Sequence, residues 1–314
     1  MGRAHLPRGA LGGNGSPRRC VDAGAPAVRE SGVPHQEGVA AMMQGDRTIR
    51  DFGEQWTAFR DNEGYYASEA LFRDIVEPLV AAEAFRGARV ADIGSGTGRI
   101  VRMLAQAGAA HVLAVEPSDA VGPLRENVAD LGDRVEVLHA TGDALPAGLG
   151  LDFVVSFGVL HHIPEPGPVV AAALRALRPG GRLVAWLYGR EGNETYLRLA
   201  EPLRRVTRRI PHRALHALST ALAPALSLYA AACAPLPALP MASYMRDHIA
   251  RLSWSARVLT IYDQLNPAYA RYYTRDEALA LLRDAGFTDV RAHHRHGYSW
   301  TVVGQRAWPE GEGR

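Results

Sequence analysis

No lysine occurs anywhere in the 314 residues, so all 35 basic side chains are arginines. Schiff-base chemistry and a lysine general base are therefore excluded. Cysteine is nearly absent too. Cys20 and Cys233 alone can build neither a cysteine-based zinc cluster nor a disulfide framework, and they fit a reducing compartment, so a cytoplasmic location is expected. Met1–Ala10 carries arginines with no apolar stretch after them, which does not read as a secretory signal. No run of about 18 strongly apolar residues is evident, so no spanning helix is expected. A formal charge of +2 gives no bulk pull toward nucleic acid, which is not an expected partner. What remains, 47% hydrophobic and 22% charged, is the composition of an ordinary globular protein.

Residues 1–45 are rich in Gly, Pro, Arg and Ala without periodicity and read as a disordered tail. The Met42-Met43 pair at its end reads as an alternative start. Over 66–84, Leu71, Phe72, Ile75, Leu79 and Val80 recur at helical spacing, so 46–85 reads as helices. Strand and helix signals then alternate, as in a parallel sheet with helices on both faces. Strands are expected at 88–93, 111–115, 134–139, 153–157 and 182–188, with Ser118 as a helix N-cap. The alternation fails over 193–273, which reads as a helical insertion. It resumes with Thr274 and Glu277 in capping-box spacing, then two strands about Gly297, so 274–307 reads as a final helix and strand pair before a tail at 308–314.

Chemistry concentrates where the first strand meets its helix, in Asp92-Ile93-Gly94-Ser95-Gly96-Thr97-Gly98. Glycines there allow a tight turn and close approach of backbone N–H groups to a ligand, and the helix N-terminus favours an anion. Dinucleotide-binding proteins also use such a turn, but with G-x-G-x-x-G spacing. Here the glycines run G-x-G-x-G behind an acid. Asp92 suits an ammonium group and gains nothing beside a pyrophosphate. Glu116, ending the second strand, can accept hydrogen bonds from two ribose hydroxyls, although NAD would accept that acid too. Asp143, after the third strand, can accept from an adenine amino group.

With DIGSGTG, Glu116, GDAL, SFGVLHHI and LRPGG in that order, the chain resembles the class I S-adenosylmethionine (SAM)-dependent methyltransferases. Within them it is similar to the ubiquinone-biosynthesis C-methyltransferase-like, small-molecule group. The likeness is strong over 90–188 and moderate over 274–306. It implies an α/β, Rossmann-like sheet of seven strands in the order 3-2-1-4-5-7-6, the last antiparallel, with a helical lid after strand five. It also implies SAM as cofactor, held by Asp92, Gly94, Ser95, Gly96, Gly98, Glu116, Asp143, Ala144 and Phe157.

The acceptor belongs to the insertion. Asn193 is expected to cap a helix with Leu199, Leu203, Val206 and Ile210 on a packed face and Arg204, Arg205, Arg208 and Arg209 on a solvated one. Such a basic face also suits peripheral membrane contact or an anionic substrate. Residues 214–239 are too alanine-rich and too interrupted by proline to span a membrane. The aromatic and polar run 262–273 suits a small substrate, with Tyr269, Tyr272 and, from the other side, Tyr66 as contacts. Gln55, Trp56 and Tyr65 are placed near the cleft with them. His161, His162 and Tyr272 are candidate bases, each weighed against a packing role. His293, His294 and His296 alternate along a strand, and no metal site is expected. The expected function is methyl transfer from SAM to an oxygen or carbon of a small organic acceptor, lipidic or glycosidic ones included. A non-catalytic SAM-binding protein and an NAD-dependent oxidoreductase are the rivals.

Overall fold

Seven strands pair into one sheet: β1 (Arg89–Ile93), β2 (His111–Val115), β3 (Val135–Leu138), β4 (Leu151–Phe157), β5 (Leu177–Tyr188), β6 (Thr288–Arg295) and β7 (Ser299–Gln305). The computed structural model describes residues 36–309, apart from 61, 63, 208, 267 and 268. The spatial order is 3-2-1-4-5-7-6. β1 through β5 pair in parallel, and β7 lies antiparallel to both neighbours. This is the class I methyltransferase topology that the motif order implies.

Alternation along the strands divides the core into two layers. Val90, Val112 and Val155 face α2 (Glu69–Val76) and α3 (Arg99–Gln106) through Phe72, Ile75, Val101 and Leu104. Ala91, Leu113, Val154 and Leu183 face α5 (Gly167–Ala176) and α10 (Arg275–Arg283). Both layers are apolar and buried, so the central strands read as near-unbroken apolar runs. Thr274 and Glu277 form the expected capping box, each side chain bonding the other's backbone N–H.

Several boundaries differ from expectation. A helix, α1 (Gln36–Ala58), begins inside the segment read as tail; residues 1–35 lie outside the described ones. The helix expected over 66–84 stops at Val76, because Pro78 cannot continue it. Ser118 does not cap α4 (Val121–Val128) at its N-cap, where Ala120 stands; its hydroxyl accepts from Ala120 N–H and donates to Glu116 instead.

The insertion is helical: α6 (Glu194–Thr207), α7 (His212–Ala232), α8 (Ala242–Asp247) and α9 (Trp254–Leu265). Here the reading of α6 fails at Asn193, Leu203, Val206 and Arg204, while Arg205 and Arg209 are exposed and Ile210 partly buried as expected; the side chains of Leu199 and Arg208 lie outside the described ones. The Asn193 side chain does not cap it but donates to the Gly189 and Tyr298 carbonyls. Leu203 and Val206 are exposed, and Arg204 is 3% exposed. The helix turns a polar face inward because Gln264 of α9 and Tyr272 offer amide and phenol partners there, not an apolar wall. Pro224 does not break α7, a helix long and apolar enough to cross a membrane, while Pro235 and Pro237 lie beyond its end.

Candidate active site

Asp92 stands one residue before the end of β1, between β2 and β4, where crossovers leave the sheet in opposite directions and a crevice opens at the carboxyl ends of the strands. Its carboxylate is 1% exposed, and neither oxygen has a hydrogen-bond partner. Ser95 Oγ donates at 3.0 Å to the Asp92 backbone carbonyl. Burial pushes the Asp92 pKa up to about 7, and nearby Glu116 adds to the rise while Ser95 and Arg99 oppose it. A buried carboxyl in this state is completed by a cation.

The turn after it is shaped by its glycines. Gly94 and Gly96 have positive φ of 78° and 54°. A side chain at 94 would collide with Val159, and one at 96 would press on Trp56. Gly98 faces Leu124 and Val128, so its role is to let α3 and α4 pack. The amides of Gly94 and Ser95 donate to Val115 O, and that of Gly98 to Ser95 O. Gly96 N–H donates to Glu116 Oε2 at 2.8 Å. Thr97 and the first turn of α3 are left as donors for an anion.

Glu116 is buried, with Oε1 accepting from Ser118 N–H and Oγ at 2.9 and 2.5 Å. Of its four acceptor positions one on Oε2 remains, so it holds the glycine turn and can still accept from a hydroxyl. Asp143 and Ala144 stand exposed in the short turn Gly142–Ala144 beyond β3. Phe157 packs on Phe72 with ring centroids 6.4 Å apart, among the core residues.

A second cluster lies at the end of β5. Tyr188 stacks on His161 at 3.8 Å and on Tyr272 at 5.2 Å. Its hydroxyl donates to Asp263 Oδ2 at 3.0 Å and accepts from Gln264 Nε2 at 3.1 Å. Arg204 reaches in from α6 and donates to Tyr272 Oη at 2.7 Å, Tyr196 Oη at 3.2 Å, and the Gln264 side chain and carbonyl. No carboxylate among the described residues forms an ion pair with it. Burial opposes the charge on Arg204, but the tyrosine oxygens around it more than offset that.

The two histidines separate. His161 is fully buried, and neither ring nitrogen has a partner. Burial first, and His162 second, hold its pKa well below 6.5. His162 Nδ1 lies 2.8 Å from the Tyr269 carbonyl, so Nδ1 carries the proton and Nε2 the lone pair. Burial lowers its pKa despite opposition from Asp263 and from Tyr269. Tyr272 is neutral and bound to Arg204, which suits it to positioning more than to proton removal.

α1 closes this space from above. Phe52 packs on His162 at 4.7 Å, Trp56 covers Gly96, and Gln55 donates to Asp263 at 3.1 Å. Tyr66 lies under Arg99 at 4.2 Å, near the cleft, whereas Tyr65 packs under Arg251 at 3.8 Å in the insertion. Phe52, Tyr188 and Arg204 escaped the sequence reading as site residues. Asp263 was visible only as the acid within an aromatic run.

Residues 91–185 match the family model described as a methyltransferase domain. Over that segment the chain is similar to the class I SAM-dependent methyltransferases, whose strand order the sheet shares. A ubiquinone biosynthesis O-methyltransferase of Aromatoleum aromaticum is 36% identical over 100 residues, which are 31% of this chain and 42% of that protein. A demethylmenaquinone methyltransferase of Clavibacter sepedonicus is 34% identical over 144 residues, 43% of this chain and 57% of that one. The chain thus spans about half the length of these relatives. Among solved structures, a SAM-dependent methyltransferase from Thermotoga maritima, described as a possible histamine N-methyltransferase, shares 18% identity at a TM-score of 0.46, over 81% of this chain and 94% of that one. At that score the fold assignment rests on strand order alone.

SAM is the cofactor of such a domain, and the residues present fit it. Asp92 offers an unpartnered buried carboxyl to the ammonium, and the glycines at 94 and 96 keep the turn free of side chains. Glu116 retains an acceptor position for the ribose.

Proposed function

We propose that the protein is an enzyme transferring the methyl group of SAM to an oxygen or carbon of a small acceptor that becomes acidic at the reacting atom. The single observation carrying the cofactor half is Asp92, buried without a partner at the switch point of the sheet. A pyrophosphate there would meet a carboxyl, which disfavours NAD. The acceptor half rests on the cluster at Tyr188.

Bound SAM supplies a methyl already activated on a sulfonium, so the protein's tasks are positioning, water exclusion and proton removal. Phe52 and Trp56 exclude water over His162 and the glycine turn. His162 Nε2, unprotonated at neutral pH, takes a proton from a hydroxyl or carbon acid. Arg204 stabilises the negative charge that removal leaves, because it is buried and meets only neutral oxygens. Tyr188, stacked between His161 and Tyr272, fixes the aromatic wall that positions His162 and Arg204 around the acceptor. The names of the two relatives, a ubiquinone O-methyltransferase and a demethylmenaquinone methyltransferase, agree with a phenolic or quinone-like ring. A non-catalytic SAM-binding protein has no use for a neutral histidine beside an unneutralised arginine.

The test is label transfer. Protein, methyl-labelled SAM and native extract are incubated, and labelled products are separated by charge. Label in small phenolic or carbon-acid products supports the reading. SAM binding with no labelled product from any extract supports the non-catalytic rival.

A further inference from the structure

We propose that the helical insertion docks onto an anionic lipid surface, with the outer faces of α6 and α7 as the contact. Every exposed large apolar side chain among the described residues, Trp308 apart, lies between residues 203 and 254. They are Leu203, Val206, Leu222, Leu228, Leu236 and Trp254, of which Val206 and Leu228 are 63% and 73% exposed. A solvated helix face ordinarily carries charge. Beyond Arg213 in its first turn, that of α7 carries none: Ala214, Ala217, Ala221, Ala225 and Leu228 are all exposed at helical spacing. Its inner stripe, Leu215, Ser219 and Ala223, packs on α9 with Val258 and Leu259. Only 22% of the apolar window in α7 is buried.

Charge decides between occupants. From Pro202 to Arg246 there is no acidic residue, although the chain holds 33. The same stretch holds Arg204, Arg205, Arg208, Arg209, Arg213 and Arg246. Arg205, Arg209 and Arg213 are exposed and form no ion pair with the described carboxylates. Two copies of this chain meeting through these faces would bring arginines against arginines with no acid to answer them. A nucleic acid would use the arginines and leave the leucines wet. An anionic bilayer takes both, with leucines in the acyl boundary and arginines among the headgroups.

The helix lies on such a surface and does not cross it. Its stripe on α9 is part of the same packed module that carries Asp263 and Arg204, and spanning would strip that packing away. The same module thereby places the proposed acceptor site beside the lipid, which rests on the reading above; the docking itself does not.

Full-length protein is sedimented with vesicles of phosphatidylcholine alone or mixed with phosphatidylglycerol. We expect binding to the mixed vesicles, weakened by rising salt, and little to the neutral ones. Leu228→Asp should reduce binding by about tenfold, and Arg205→Ser with Arg209→Ser by about fivefold per arginine at low salt. Both changes are on exposed positions, and an unchanged circular dichroism spectrum and SAM affinity verify the fold. Equal or absent binding to the two vesicle types overturns the proposal. So does a stable dimer in light scattering that Leu228→Asp dissociates without any vesicle binding.

Discussion

The sheet and the helical insertion bury arginine and acid under opposite rules. In the sheet, Asp92 is an acid stripped of partners at a strand end, and its neighbours are glycines that admit a ligand. In the insertion, Arg204 is a cation stripped of counter-ions, and its neighbours are tyrosines and a glutamine. Folding alone favours neither, since each buries charge without neutralising it. The proposed function gives each a ligand group of the opposite sign, an ammonium at one end of the cleft and an acceptor oxygen at the other. The first half of the cleft is built from local turns, and the second from contacts across the whole chain.

That contrast can be broken in four places. The largest effect is expected from His162→Gln, which should cut methyl transfer at pH 7.5 by about a hundredfold or more if His162 is the base. In the unmodified protein the rate should fall as pH drops through a value below 6.5, because the imidazole must be neutral; the variant should lose that limb of the pH profile. Arg204→Met comes next, with kcat/KM for the acceptor down by about tenfold to a hundredfold and the SAM affinity unchanged. An equal loss of SAM affinity would place Arg204 in the wrong half of the cleft.

Asp92→Asn tests the other half through stability. The native pKa of about 7 against a reference of 3.8 means the folded state holds a proton that the unfolded state releases. Stability of the ligand-free protein should therefore decline as pH rises from 4 to 7, by as much as about 4 kcal/mol for the ionised carboxylate. Asn removes that slope, and denaturant titration at pH 8 should find the variant more stable by about 2 kcal/mol, since the amide still lacks partners. The smallest change is Thr274→Ala, which removes the capping box of α10, for about 1 kcal/mol in thermal or denaturant melts and no change in SAM affinity.

The sheet was legible because its signals are short. An acid, three glycines and a helix start lie within Asp92–Gly98, and the strand order was implied by the family that these motifs resemble. Asp92, Gly94, Gly96 and Glu116 stand together at the crevice, while Gly98 and Phe157 turn out to pack helices and core. In the insertion, helical periodicity located α6 and the exposed Arg205 and Arg209 but misplaced Leu203, Val206 and Arg204. Leu203 and Val206 were assigned inward because apolar side chains usually are, and Arg204 outward for the converse reason. Neither Gln264 nor Tyr272, which lie 60 and 68 residues along the chain, could be seen from α6 to welcome a guanidinium. Gln55 and Asp263 are 208 residues apart, and no local pattern joins them. Where partners are distant, composition shows that a site exists and not which way its side chains point.

The account turns on Asp92 as the counter-charge for the cofactor. Calorimetric titration of SAM into the unmodified protein and Asp92→Asn, in two buffers of different ionisation heat at pH 6.5, measures affinity and proton exchange together. The account predicts binding with net proton release in the unmodified protein, as the ammonium returns the carboxyl to its ionised form, and a loss of affinity of about tenfold or more with no release in the variant. Equal affinity and equal proton exchange in the two proteins would contradict it.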